Sequence, residues 1–434
     1  MAGARDALTG SPREIRTAEI LAVGTELLTP HRIDSNSLYL TQRLNDLGID
    51  VRTKSVVGDD TGVLADRLRQ ALASVDLVVT TGGLGPTSDD LTREVAADVL
   101  GLELIEQPEL VEMIARRFER RGIRMPDANR RQAAVPRGAV VLPNPNGTAP
   151  GLWIAVEERV LVLLPGPPRE MQPMFERAVE PLLGPRTGRR RVYRRVLKVA
   201  GRAESHVEEI AQPIYSTLTT GAHPIETTIL ASPGLIELHL SGRGEDSQAI
   251  QQALDDGIRQ LAAALGPSVF STEGQSLEEV VAALLIERGL TLAVAESCTG
   301  GLISGRLTDV PGSSAWFIGA VVAYANEIKM QALSVPEHLL RTHGAVSEPI
   351  GQAMAEGVRA AFNAGIGLGI TGIAGPTGGT PEKPVGTVVI AVSTAGGSNV
   401  RTLRLAGNRS MIRQHAVVAA LDAVRLALTP VNAD

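Results

Sequence analysis

The chain has 434 residues and, at roughly 150 residues per domain, the length of about three domains. Hydrophobic residues make up 44% and charged residues 21%, ordinary globular usage that excludes a disordered, collagen-like or mucin-like chain. A formal net charge of -6, with five Phe, four Tyr and two Trp, supplies neither the positive field nor the stacking platform of a nucleic-acid binder.

Residues 1–17 carry Asp6 and Glu14 among arginines and hold no apolar core of a secretory signal, so they read as a frayed tail. Glu19–Val23 is an apolar run entering Gly24-Thr25-Glu26-Leu27-Leu28, the pattern of a buried strand that ends in a loop. Ser37–Leu47 repeats apolar positions at helical spacing and stops at Gly48. Strand Val51–Val57, helix Gly62–Ala73, strand Leu77–Thr80, loop Thr81–Asp90 and helix Leu91–Leu100 continue the alternation. Such alternation predicts an α/β domain over 18–184, with a parallel sheet covered on both faces.

Pro185–Arg191, followed by Arg194 and Arg195, is a basic Pro/Gly-containing stretch that reads as a linker. Over 190–270 the pattern is strand, helix Glu204–Tyr215, strands Thr227–Leu230 and Leu235–Ser241 turning at Pro233-Gly234, then helix Ser247–Leu265. This predicts a small α+β unit with no catalytic cluster. A second α/β domain over 272–434 opens at Ser276, three residues before Glu279, as a capping box does. Helix Leu277–Arg288, strand Thr291–Glu296, a helix from Gly300, strand Phe317–Tyr324 and helices Glu327–Leu333 and Glu348–Phe362 follow. Strands Gly367–Ile370, Val385–Ser393 and Val400–Leu405 and helix Ser410–Leu428 complete it. No run of about 18 apolar residues is present to span a bilayer. The single cysteine, Cys298, permits no intrachain disulfide and fits a reducing, cytoplasmic compartment.

The common nucleotide fingerprints are missing: Gly83-Leu84-Gly85 lacks the third glycine of G-x-G-x-x-G, and there is no Gly-Lys-Ser/Thr and no H-E-x-x-H. What remains in the first domain is Thr81-Gly82-Gly83-Leu84-Gly85-Pro86-Thr87-Ser88-Asp89-Asp90, placed after a strand where the crevice of an open α/β sheet lies. Glycines there let backbone N–H groups approach phosphate oxygens. Asp89 and Asp90 could cap the next helix, or one could hold a divalent cation. Asn144–Gly151 and Leu164–Glu170 are two further crevice-like loops.

In the last domain Ala295-Glu296-Ser297-Cys298-Thr299-Gly300-Gly301 turns a strand sharply into a helix, which exposes a hydroxyl near helix-end N–H groups able to stabilise an oxyanion. Ser297 or Thr299 as an ordinary N-cap is the competing reading. Only Lys54, Lys198, Lys329 and Lys383 among the 42 basic residues are lysine. Lys329, in Tyr324-Ala325-Asn326-Glu327-Ile328-Lys329, falls just past a strand of the same sheet, where burial would free its amine to act as a base. Cys298 is the rival nucleophile, although a lone buried cysteine also serves as a small hydrophobe. The loop Thr371–Gly379 would close the pocket.

At these residues the chain resembles the CinA family. The first domain is similar to the molybdopterin-binding fold through Val23–Leu28, Asp34-Ser35-Asn36, Gly82–Asp90 and Leu164–Pro168; the middle segment is similar to that family's small KH-like domain. From Ser276 onward the chain resembles nicotinamide mononucleotide deamidase, through Ala295–Gly301, Gly312–Ala315, Tyr324–Lys329, His343–Glu348, Thr371–Pro376 and Lys383–Val388. The resemblance implies a bifunctional hydrolase of NAD breakdown products. Ser297 would be the nucleophile and Lys329 the base, supported by Ser314, Tyr324 and Thr371, with Gly300, Gly372 and Arg409 on the substrate and no cofactor. Arg409 stands in Gly407-Asn408-Arg409, where the family usually has Gly-Asp-Arg. The first domain would hydrolyse the ADP-ribose pyrophosphate, with Gly24, Thr25, Asn36, Gly82, Gly83, Asn146 and Gly166 on the substrate. Glu26, Asp34, Asp89 and Asp90 would hold a divalent metal, Mg2+ or similar. Pro30-His31-Arg32 replaces residues that the family usually has as glycine and small or apolar ones. Expected partners are pyridine nucleotides, ADP-ribose and a second copy of the chain, with neither membrane nor nucleic acid. Two alternatives stay open, a first domain that binds a pterin or nucleotide without turnover, and a competence-associated factor.

Overall fold

The computed structural model describes residues 14–429, which divide into two compact units. One runs up to Tyr193 and includes Arg243–Ser247; the other comprises Arg194–Gly242 and everything from Gln248. The protein is of the α/β class, with sheets of six and five strands and a four-stranded sheet between them in sequence. Among the described residues no helix is long and apolar enough to cross a membrane.

In the first unit the strands are β1 (Thr17–Val23), β2 (Asp50–Val57), β3 (Leu77–Thr81), β4 (Leu104–Glu106), β5 (Ala134–Pro136), β6 (Val140–Leu142), β7 (Gly151–Val156) and β8 (Arg159–Leu164). The large sheet has the order β2-β1-β3-β8-β7-β6, and β4 pairs with β5 apart from it. The first four strands are parallel, as the alternation with helices predicts, whereas β7 and β6 are antiparallel. The reason lies in the connection: Glu157-Glu158 joins β7 to β8 directly, and a two-residue turn leaves no length for a crossover. Side chains alternate between faces, so Ala18, Ile20, Leu77 and Val79 enter one core layer and Leu21 and Val78 the other. Each layer is covered by helices, Ser35–Asp46 with the 168–183 segment on one side and Thr61–Ser74 with Thr92–Leu100 on the other.

Residues 15–17 do not belong to the expected tail over 1–17. Residues 1–13 lie outside the described ones, but Ile15 is buried and its N–H donates to the Arg186 carbonyl at 2.8 Å, while Thr17 already begins β1. That contact also revises the start of the linker, because the Arg186 guanidinium lies 5.6 Å from the centre of the Trp153 ring.

In the middle segment β9 (Arg191–Ala200), β10 (Ile225–Ser232), β11 (Leu235–Gly244) and β12 (Val269–Ser271) form a sheet of order β10-β11-β9-β12. Pro233-Gly234 makes the predicted hairpin, with Ser232 opposite Leu235. This α+β segment shares its core with the chain beyond it, where Ala200 and Phe270 pack with Leu277, Val281 and Leu421.

The last sheet has the order β14-β13-β15-β16-β17, from β13 (Leu292–Glu296), β14 (Phe317–Val322), β15 (Ile366–Gly372), β16 (Thr387–Thr394) and β17 (Gly397–Arg404). Strands β13, β14 and β15 are parallel, and β16 and β17 add antiparallel. On β13, Leu292 and Val294 face the helices Leu277–Glu287 and Arg409–Leu428, and Ala293 and Ala295 face Glu348–Ala361. The capping box is formed, with Ser276 Oγ accepting from Glu279 N at 3.2 Å and Glu279 Oε2 from Ser276 N at 2.7 Å.

Candidate functional sites

Both large sheets place a central strand, β1 or β13, between parallel neighbours that the chain reaches in opposite directions. Ligands of open α/β sheets bind beyond the carboxyl ends of the strands at such a point, and each unit has its cleft there.

The first cleft, of about 630 Å³, is lined by Gly24, Glu26, Asp34, Asn36, Gly82, Gly83, Asp89, Asp90 and Gly166 among others. These are the expected residues except Thr25 and Asn146. The Thr25 N–H instead donates to Asp59 Oδ2 at 2.8 Å, and Asn146 Nδ2 to the Arg169 carbonyl at 2.9 Å. Gly82 lies so near β1 that a Cβ would fall 2.0 Å from the Val23 carbonyl oxygen, so the loop sits where no side chain fits. Asn36, buried on the helix Ser35–Asp46, ties three elements together: its Nδ2 donates to Thr81 Oγ1 at 2.8 Å and to the Gly166 carbonyl at 2.6 Å. Its Oδ1 is buried without a partner, an acceptor that a ligand hydroxyl or amine could satisfy.

The carboxylates of this cleft do not build a metal cage. Asp34 caps its helix, accepting from Ser37 N at 2.9 Å, and Asp90 Oδ2 accepts from Thr87 N at 2.9 Å and from the Thr87 hydroxyl. A hydrogen bond from Thr87 also holds the Asp89 carboxyl below its usual range. Among the described residues no three His, Cys, Asp or Glu side chains are grouped to hold a metal ion. The four expected ligands thus build no cage of three protein carboxylates. Nor do Asp89 and Asp90 cap the following helix: it begins after Leu91 without a side-chain cap, and Thr92 Oγ1 donates to the Gly82 carbonyl at 2.9 Å. A residue that sequence reasoning missed braces the loop instead. Arg131 donates to the carbonyls of Thr87 and Asp90 and to Glu94 Oε1.

The second cleft, of about 230 Å³, is lined by Ser297, Cys298, Tyr324, Lys329, Ala345, Val346, Thr371, Gly372, Ala374 and Arg409. Lys329 is 1% exposed, and its Nζ lies 3.3 Å from Ser297 Oγ, 2.7 Å from the Ala323 carbonyl and 3.3 Å from that of Tyr324. Burial, with no ion pair to a carboxylate among the described residues, pushes the Lys329 amine below its ordinary range. Cys298 is buried beside Ser297, and burial pushes its thiol up to about 11. Thr371 Oγ1 donates to the Ala345 carbonyl at 2.9 Å. Arg409 donates to the Gly375 carbonyl at 2.8 Å and to the Tyr324 hydroxyl at 3.1 Å. Asn408, in place of aspartate, still caps its helix by accepting from Met411 N at 3.0 Å.

Two expected residues stay outside this cleft. Ser314 is exposed on the turn Ser313–Ala315, and Gly300 bends the chain at φ 60 without lining the pocket. The structure also sets aside the capping reading of the Ser297 turn and takes the N–H groups at the start of the following helix out of an oxyanion role. Helix Leu302–Thr308 has no side-chain cap at its Gly301 N-cap, and Thr299 Oγ1 is buried without a partner. Its leading N–H groups, from Gly301, Ile303 and Ser304, are taken by the buried Glu296 carboxylate at 2.9, 3.2 and 2.9 Å, so they are not free for a substrate oxygen.

Two α/β clefts, one with a glycine-rich loop and one with a buried Ser/Lys pair, define the class. Family models match both halves: the probable molybdopterin binding domain over residues 19–185 and the CinA C-terminal domain over 274–428. A CinA-like protein of Koribacter versatilis is 47% identical over 412 residues, covering 94% of this chain and 99% of that one. A competence-damage inducible protein of Symbiobacterium thermophilum is 44% identical over 422 residues, 94% of this chain and 98% of its own. The solved structure of the protein CinA from Thermoplasma acidophilum is 33% identical and covers 39% of this chain and 99% of that one, with a TM-score of 0.37. This chain belongs to the CinA family.

Proposed function

We propose that the protein is a cytoplasmic, dimeric hydrolase of NAD breakdown products, and that its second cleft deamidates nicotinamide mononucleotide to nicotinate mononucleotide and ammonia. The observation that carries this reading is the buried Lys329 amine 3.3 Å from Ser297 Oγ. As Ser297 Oγ attacks the carboxamide carbon, Lys329 takes the hydroxyl proton and returns it to the amide nitrogen, which leaves as ammonia. The nicotinoyl ester left on Ser297 is cleaved by water, whose proton passes through Lys329 back to Ser297. Arg409, facing this pocket, would meet the substrate phosphate.

The sign of the pH dependence follows from the lysine. Its base form is the neutral amine, which burial favours, so turnover rises with pH through an inflection below the ordinary lysine value of about 10.4. Ammonia release measured against pH checks this, and a rate that falls as pH rises across that range would remove Lys329 as the base.

In the first cleft the same proposal places hydrolysis of the ADP-ribose pyrophosphate. The glycine loop and the buried Asn36 support it. A divalent ion belongs to it as a companion of the pyrophosphate, since Mg2+ usually takes one or two carboxylates together with substrate phosphates. The lack of a protein-held cage among the described residues favours a second reading, a module that binds a nucleotide or pterin without turnover. Metal-dependent release of AMP from ADP-ribose separates the two. If the cleft is catalytic, Asp89→Asn and Asp90→Asn each weaken that release while the deamidase is unchanged, Asp90→Asn because it loosens the Thr87 turn. Full activity of both variants across a metal titration would place the reaction elsewhere.

A further inference from the structure

We propose that Arg413 is a positioning residue for the Ser297 nucleophile, acting through the turn 297–301 rather than on the substrate. The inference rests on the Ser297/Lys329 reading above. This turn contains two consecutive left-handed glycines, Gly300 at φ 60 and Gly301 at φ 92, which give the chain its sharp bend but offer no side chain to fix it. Where the turn begins, Ser297 N donates to the Ile370 carbonyl at 3.0 Å, in register with the sheet. Beyond that point two opposite charges hold it. Glu296, with no exposed surface, gathers the N–H groups of Gly301, Ile303 and Ser304 and the Ser304 hydroxyl. Arg413 takes the carbonyl side, with Nε donating to the Cys298 oxygen at 3.1 Å and Nη2 to the Thr299 oxygen at 2.6 Å.

A carboxylate on the donors and a guanidinium on the acceptors leave the backbone beside Ser297 little freedom, and the guanidinium fork matches two carbonyls as an ammonium cannot. Arg413 stands one helical turn after Arg409, on a helix whose Ile412 and Ala416 are buried in the core. One rigid element thus carries both the group facing the pocket mouth and the clasp on the nucleophile turn.

The test compares full-length Arg413→Gln, Arg413→Lys and Gly300→Ala with wild type. Gly300→Ala strains the same turn through its positive φ, with its methyl in ordinary contact with Arg413 Nη2 at 3.4 Å. Four quantities are read: kcat and KM for nicotinamide mononucleotide, the pH midpoint, and the rate at which a fluorophosphonate labels Ser297. A reacting group displaced by about 1 Å can lose about 100-fold in rate. Arg413→Gln is expected to lower kcat by about 10–100-fold and to slow labelling in parallel, with KM and the pH midpoint unmoved. Arg413→Lys recovers part of both, and Gly300→Ala loses both.

An Arg413→Gln enzyme that labels and turns over at the wild-type rate overturns the proposal, as does one changed in KM alone. Should Arg413→Gln fail to fold, as thermal melting would show, Arg413→Lys and Gly300→Ala decide by the same readings. The labelling rate reports the hydroxyl independently of the substrate. A wild type that labels but does not deamidate therefore refutes the substrate and leaves the comparison intact. A wild type that does neither refutes the Ser297 reading and this proposal with it.

Discussion

On the proposed reading, Ser297→Ala and Lys329→Arg are each expected to lower deamidation of nicotinamide mononucleotide by about 1,000-fold or more, and Cys298→Ala to keep most of it. A carboxamide is a poor electrophile, so the hydroxyl must lose its proton as it attacks, and either half of the pair is useless without the other. Arginine is the sharper of the two tests. It keeps the positive charge and the donors that hold the Ala323 and Tyr324 carbonyls, but it cannot give up a proton near neutrality. Cys298 is dispensable because burial pushes its thiol up to about 11, so almost none of it is thiolate at neutral pH. Ammonia release by the three purified variants decides the matter. Substantial turnover in Lys329→Arg, or a folded but inactive Cys298→Ala, would make the thiol the leading nucleophile.

The two clefts were legible because local patterns carry them. A run such as Leu77–Val79 ending in glycines is the mark of a strand entering a crevice loop, and β13 entering the Ser297 turn is another. Lys329 stood out by composition, as one of four lysines in a chain that otherwise uses arginine. What the sequence concealed is whatever acts across long separations. Arg413 reaches Cys298 from 115 positions away and Arg131 reaches Asp90 from 41, and no periodicity or spacing marks either arginine among so many. The sequence places Glu296 in the turn, but that its carboxylate bends forward to gather the next helix follows only from the packing. As helix caps, Asp89 and Asp90 show the converse error. Adjacent carboxylates before a helix have the composition of a cap, yet Thr87, two or three residues upstream, offers Asp90 a nearer partner. The helix Glu337–His343 was missed because seven residues between Pro336 and Gly344 are too few to show a period.

Residues 272–434 expressed alone are expected to release ammonia from nicotinamide mononucleotide without added metal, but to unfold at a lower denaturant concentration than residues 194–434. Activity survives because every group lining the second cleft lies between Ser297 and Arg409. Stability drops because the small α+β segment belongs to the same core: cutting at 272 removes Ala200 and Phe270 from their packing against Leu277, Val281 and Leu421. Loss of a large aromatic side chain from a core costs about 3–5 kcal/mol, and the cut also exposes the apolar surface that this side chain had covered. A polar contact goes with it. Arg425, buried and paired with Asp422 through its Nε at 2.8 Å, also donates from Nη2 to the Pro267 carbonyl at 2.8 Å, and the truncated chain leaves that donor to water. The damage falls on the far end of the helix Arg409–Leu428, several turns from Arg409 and Arg413, so the cleft keeps its geometry while the fold loses part of its margin. Urea titrations of the two fragments, read together with their ammonia release, separate the effects. Equal midpoints would show that the segment adds nothing to the core, and a fragment that is folded but inactive would show that the cleft needs a group from before residue 272.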